Sequence, residues 1–95
     1  MKPYFGNKEK EQANGDVLEK HSDIFDLVLY NDDFNTFDWV IQSLVEVCKH
    51  EPLQAEQCAF IVHFKGKCTV KSTDFSTLEP MHRELSNRDL TVEIE

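Results

Sequence analysis

The stretch that decides the fold runs from Ile24 to Leu44, IFDLVLYNDDFNTFDWVIQSL. Its opening run, Ile24–Tyr30, is almost entirely apolar and rich in β-branched and aromatic residues, the pattern of a buried central strand. The run stops at Asn31-Asp32-Asp33, whose short polar side chains bond nearby backbone and favour a turn. Asn35 follows as the expected N-cap of a helix, with Asp38 placed to reach back in the manner of a capping box. From Phe37 onward, Phe37, Val40, Ile41, Leu44 and Cys48 recur at helical spacing and predict one buried stripe. Trp39, Gln42, Glu46 and Lys49 fall on the other side, so Trp39 is expected to be partly exposed.

Lys49-His50-Glu51 interrupts that stripe, and Pro52 suits the first turn of a second helix. Ala55, Cys58, Ala59 and Val62 form its expected inward face, Phe60 and Phe64 a pair one turn apart, and Gly66 its C-cap. Cys68–Thr73 reads as a second strand. Asp74 or Ser76 caps a third, short helix through Leu85, with Pro80 expected within its first turn. The terminal LTVEIE alternates without a break, so Leu90, Val92 and Ile94 are expected to face the core from a last strand. The order is βααβαβ. Its economical packing is an α+β sandwich, a small three-stranded antiparallel sheet with three helices packed on one face.

Ninety-five residues is one domain's worth of chain. Residues 1–23 are polar, show no sustained apolar period, and read as a flexible N-terminal extension, with a possible turn at Gly15-Asp16. The domain proper spans residues 24–95. The longest apolar run, Cys58–Val62, is far short of the ~20 residues a membrane helix needs. MKPYFGNKEKEQANGD lacks the apolar stretch of a secretory signal and carries acids that transit peptides avoid, so a cytoplasmic location is expected. Eighteen acidic residues against ten basic ones give a formal charge of −8, and no basic patch offers itself to phosphates, so nucleic acid is not an expected partner. Three cysteines without paired spacing do not describe a disulfide scaffold.

Few residues could carry chemistry. Cys48, His50, Cys58, His63 and Cys68 are close in sequence, yet they form no CxxC or HxxxH pair, and Cys48 and Cys58 fall on expected core faces. No metal or other cofactor is expected. Asp32 and Asp33 sit at a strand-to-helix junction, where carboxylates commonly bond backbone amides rather than act as an acid–base pair. The three glycines are isolated, so there is no phosphate loop. His63 borders the apolar stripe of the second helix. An enzyme is not expected.

LVLYNDDFNTFDWVI (residues 27–41), followed by VHFKGK (residues 62–67), resembles ClpS, the adaptor family of the ATP-dependent Clp proteases. The resemblance covers residues 24–95 and rests on the Asn-Asp-Asp and Val-His segments taken together. It implies a non-enzymatic adaptor that binds the N-terminal Leu, Phe, Trp or Tyr of N-end rule substrates. Such an adaptor delivers these N-degron proteins to the N-terminal domain of a Clp AAA+ unfoldase of the ClpA or ClpC type, and acts as a monomer. Carried onto this chain, it makes Asn31, Asp32 and His63 the groups that grip the substrate's α-amino group. Asn35, Phe37, Val40, Ala59, Val62 and Leu90 would line the pocket for the first side chain. The chain departs from the family pattern at Asn35 (Thr in the family), Phe37 (Met) and Ala59 (Met), which implies an altered ranking among the four residues.

Two other readings carry different chemistry. One is an interaction module with the fold of the ribosomal stalk C-terminal domain, which has no need of an amine grip. The other is a metal-binding domain using His63 with Cys58 or Cys68. The resemblance also assigns the extension a part in handover to the unfoldase. Deleting residues 1–23 is therefore expected to leave peptide binding intact while impairing delivery in a reconstituted degradation assay. Loss of peptide binding itself would move the domain boundary.

Overall fold

The computed structural model describes residues 23–95. The extension predicted over residues 1–23, with its turn at Gly15-Asp16, lies outside the described residues apart from Asp23. Six elements follow in the order β1 (Phe25–Tyr30), α1 (Phe37–Cys48), α2 (Pro52–Lys65), β2 (Lys67–Thr73), α3 (Phe75–Asn87) and β3 (Thr91–Ile94). The strands form one antiparallel sheet in the order β2-β1-β3, so the most apolar strand is the central one, as its composition predicts. Leu27 and Leu29 of β1, Val70 of β2 and Val92 of β3 join Leu44, Cys48, Ala55, Cys58, Val62, Leu78 and Leu85 of the helices in one core. Each fully buried leucine contributes about 1.5–3 kcal/mol relative to exposure.

The β1–β2 register slips between Leu27, opposite Lys71, and Val28, opposite Thr69, leaving Val70 as the extra residue of a bulge. The Val70 carbonyl lies 2.6 Å from Nε2 of the buried His50. A carbonyl only accepts, so Nε2 carries the proton and donates. His50, read from sequence as part of an interruption, thus ties the end of α1 to the irregular point of the sheet.

Three local expectations need correction. The N-cap of α1 is Thr36, whose Oγ1 accepts from Trp39 N at 3.1 Å, and not Asn35. Asn35 is engaged elsewhere, in the turn that precedes the helix. The expected stripe of α1 is buried only at Leu44 and Cys48. Val40 and Ile41 are half-buried and Phe37 is 39% exposed, because the first turn of α1 faces α2 across an open cleft. Ser43 is instead fully buried, its Oγ 3.5 Å from Arg88 Nη1 where α1 meets α3. Pro80 lies inside α3 and beyond its first turn, because Asp74 caps the helix and Phe75 already begins it. Trp39 is half-buried, with Nε1 donating to the Arg88 carbonyl at 3.0 Å and the Arg88 guanidinium over its ring.

Gly66 closes α2 with φ 97°, and its carbonyl accepts from Asn31 N at 2.9 Å. A Cβ at Gly66 would meet nothing within 4 Å, so a side chain there is opposed only by the left-handed backbone. Gly66→Ala is expected to lower stability by about 1 kcal/mol in urea unfolding, while an unchanged midpoint would show that the turn relaxes freely.

Candidate functional site

Where β1 ends, the chain crosses to α1 by a turn built around one carboxylate. Asp32 Oδ1 accepts from Phe34 N at 2.8 Å and Asn35 N at 2.9 Å. Its Oδ2 accepts from Asn35 Nδ2 at 2.8 Å, and the same Nδ2 donates to the Asp89 carbonyl at 2.9 Å. Asp89 can present that carbonyl because it occupies a left-handed conformation, φ 68°, in the turn from α3 to β3. Asn35 therefore braces the first corner of the domain against its last turn. Partial burial works to raise the Asp32 pKa, but the bonds from Asn35 N, Asn35 Nδ2 and Phe34 N outweigh it and hold the carboxyl below its ordinary value. A carboxylate offers about four acceptor positions. With three filled by the turn, about one remains for a ligand.

The bond from Asn31 N to the Gly66 carbonyl draws the end of β1 to the end of α2, and His63 lies in the last turn of that helix. The His63 ring packs on Phe37 with centroids 5.2 Å apart and meets the edge of Phe64 at 4.8 Å. Among the described residues nothing bonds its ring nitrogens. Between α1, α2 and the Asp32 turn lies a cavity of about 340 Å³, lined by Asn31, Asp32, Asp33, Asn35, Thr36, Phe37, Val40, Ala59, Val62 and His63. Its polar groups are concentrated on the turn, and its apolar wall is continuous with the core through Val40 and Val62.

Eight of the residues singled out from sequence meet in this cavity: Asn31, Asp32, Asn35, Phe37, Val40, Ala59, Val62 and His63. Leu90 does not. It lines an adjoining hollow of only about 20 Å³ that shares Asn31, Asp32, Asn35, Val40 and Val62 with the main cavity. Two wall residues were not anticipated, Asp33 and Thr36. Asp33 carries the signal of the Asn-Asp-Asp segment and Thr36 only that of the turn, where polar residues beside a strand end are ordinarily solvated.

The thiols have another character. Burial pushes the Cys48 thiol up to about 11, against a small pull from Lys71. Burial, with the neighbouring Cys68 thiol, pushes Cys58 up to about 12. Both are protonated and weakly nucleophilic at neutral pH. Among the described residues no three His, Cys, Asp or Glu side chains are grouped to hold a metal ion, and no helix is long and apolar enough to cross a membrane.

Comparison with known proteins gives the chain a family. The model of the family described as ATP-dependent Clp protease adaptor protein ClpS matches residues 20–93. The chain belongs to this family of Clp protease adaptors. Among solved structures it is similar to ClpS2 of Agrobacterium tumefaciens bound to L-phenylalaninamide, with a TM-score of 0.70 and 19% identity over 76% of this chain and 94% of that one. That degree of identity establishes the shared fold. No curated protein sequence matches the chain.

Asn35→Ala removes one of the three bonds on Asp32 and the brace to Asp89. The Asp32 titration, followed by NMR at the carboxyl carbon, is expected to move to higher pH. An unmoved titration would mean that backbone amides alone set the charge of this carboxylate.

Proposed function

We propose that the cavity receives the first residue of a protein substrate and that the chain hands such N-degron proteins to a Clp unfoldase. The observation that carries this reading is the meeting of Asn31, Asp32 and His63 at the polar edge of a cavity whose other wall is Phe37, Val40, Ala59 and Val62. An α-ammonium has donors only, and an amide oxygen, a carboxylate and an unprotonated imidazole nitrogen all accept. The open acceptor position on Asp32 and the unengaged imidazole of His63 suit that role. Each charge-assisted bond is worth about 1.5–3 kcal/mol, and burying a large apolar side chain adds a similar amount. Association costs more than either alone supplies, so a ligand needs both a free amine and an apolar first side chain.

The structural relative supports the same reading. L-phenylalaninamide, bound to the Agrobacterium protein, is a phenylalanine with a free α-amino group and a blocked carboxyl, the chemistry of a peptide's first residue. On this reading the protein is not an enzyme and needs no cofactor. It acts as a cytoplasmic monomer on substrates beginning with Leu, Phe, Trp or Tyr, and its partner is the N-terminal domain of a ClpA- or ClpC-type unfoldase. Leu90 supports the cavity from the adjoining hollow. Phe37 and Ala59, a larger and a smaller wall residue, set the ranking among the four.

Fluorescence anisotropy with a labelled peptide beginning with Phe, beside its N-acetylated twin, tests the grip. Only the free amine is expected to bind, and Asp32→Ala and His63→Ala are each expected to weaken it about tenfold or more. His63→Gln keeps an acceptor at this position and is expected to retain more affinity than His63→Ala. Asp32, held below the usual carboxylate range, stays ionised at neutral pH throughout this comparison. Equal binding of both peptides would refute the amine grip.

A further inference from the structure

Helix α2 is apolar on two opposite sides. Ala55, Cys58, Ala59 and Val62 are buried against the rest of the domain. Leu53, Phe60 and Phe64 fall together on the other side at helical spacing, and they are 64%, 46% and 74% exposed. Single exposed apolar residues need no explanation, but a connected group does. Phe60 stacks on Phe64 at 6.2 Å, Phe64 meets His63 at 4.8 Å, His63 meets Phe37 at 5.2 Å, and Phe37 meets Phe60 at 5.2 Å. The four rings form a closed circuit. Two of them, Phe37 and His63, line the cavity, whereas Phe60 and Phe64 do not. The aromatic surface thus begins inside the cavity and runs out over its rim without a polar break.

We propose that the exposed rings of Phe60 and Phe64 form a second subsite that takes an aromatic side chain at the second residue of the substrate. The inference rests on the proposed seating of the first residue in the cavity. With the α-amino group held beside His63, the second Cα lies one peptide unit, about 3.8 Å, from the first. Its side chain leaves the rim next to rings that touch His63 and Phe37. Planar side chains find edge and face contacts there that a glycine or an aliphatic group does not, and the ring quadrupole rewards those geometries beyond area alone. The surface also accounts for the apolar character of α2 on its outward side, which the core of the domain does not use.

The test uses the full chain and two labelled peptides, identical except that one begins Phe-Trp and the other Phe-Gly, each with its N-acetylated twin. The Phe-Trp peptide is expected to bind about fivefold tighter, and Phe64→Ala with Phe60→Ala is expected to bring the ratio to about one. The ratio separates a subsite from an indirect effect on His63, which would weaken both peptides alike. Equal affinities in the unaltered protein, or a ratio that survives the double substitution, would overturn the inference. So would sedimentation showing self-association that the double substitution abolishes, because a second copy would then occupy the rings. If free and acetylated Phe-Gly bind alike, the amine grip fails and the subsite falls with it, whatever the ratio.

Discussion

The carboxylate of Asp32 is the constraint on which the site depends, because it organises the chain and retains room for a ligand. Its bonds to Phe34 N, Asn35 N and Asn35 Nδ2 convert the end of β1 into the start of α1. The same bonds hold it ionised below its ordinary range despite partial burial. A turn stabilised by a charged acceptor is therefore also an anionic wall of the cavity, with its orientation set by the fold. The second attachment of Asn35, to the Asp89 carbonyl, makes that wall rigid by joining it to the far end of the domain. Substitutions at Asp32 therefore act on the fold of the turn, whereas His63 makes no hydrogen bond among the described residues that a substitution would remove.

Helix α2 has the complementary role. Its C-cap glycine accepts the backbone of Asn31, and this bond sets His63 opposite the Asp32 turn. Its buried side continues the core up to the floor of the cavity through Ala59 and Val62, so the apolar wall is as firm as the core behind it. Walls fixed by the fold lower the ordering cost of binding for any ligand the cavity takes. The exposed rings of Phe60 and Phe64 on the opposite side of the helix extend the apolar surface beyond the cavity through Phe37.

Much of this was legible in the sequence. The apolar run of β1 announced a central strand, Pro52 and Gly66 marked the ends of α2, and the alternation of Leu90, Val92 and Ile94 marked the last strand. These features are local, and local sterics and periodicity suffice to read them. Sequence and structure differ where two valid local rules compete. Asn35 and Thr36 are both good caps, and the choice fell to Thr36 because a distant carbonyl engages Asn35. Phe37 continued the stripe of α1 by spacing, but the stripe passes beyond the core before reaching it. Pro80 falls beyond the first turn of α3 because the helix starts from Asp74 and not from Ser76, which has the same capping chemistry. Ser43 gave no signal of burial, since its environment is made by α3.

The sequence alone determined the order of elements, the buried strand, and the supply of acceptors and apolar groups from which a site could be assembled. Tertiary structure decided which of them meet: that Asn31 lies against the end of α2, that Asn35 is braced by the α3–β3 turn, that His50 fastens the bulge at Val70, and that Leu90 sits behind the cavity and not in its main wall. The physical reason is common to the first three. Their partners are the backbone carbonyls of Gly66, Asp89 and Val70, groups that every residue carries and no side-chain pattern encodes, and only the folded chain brings them to the donors they satisfy.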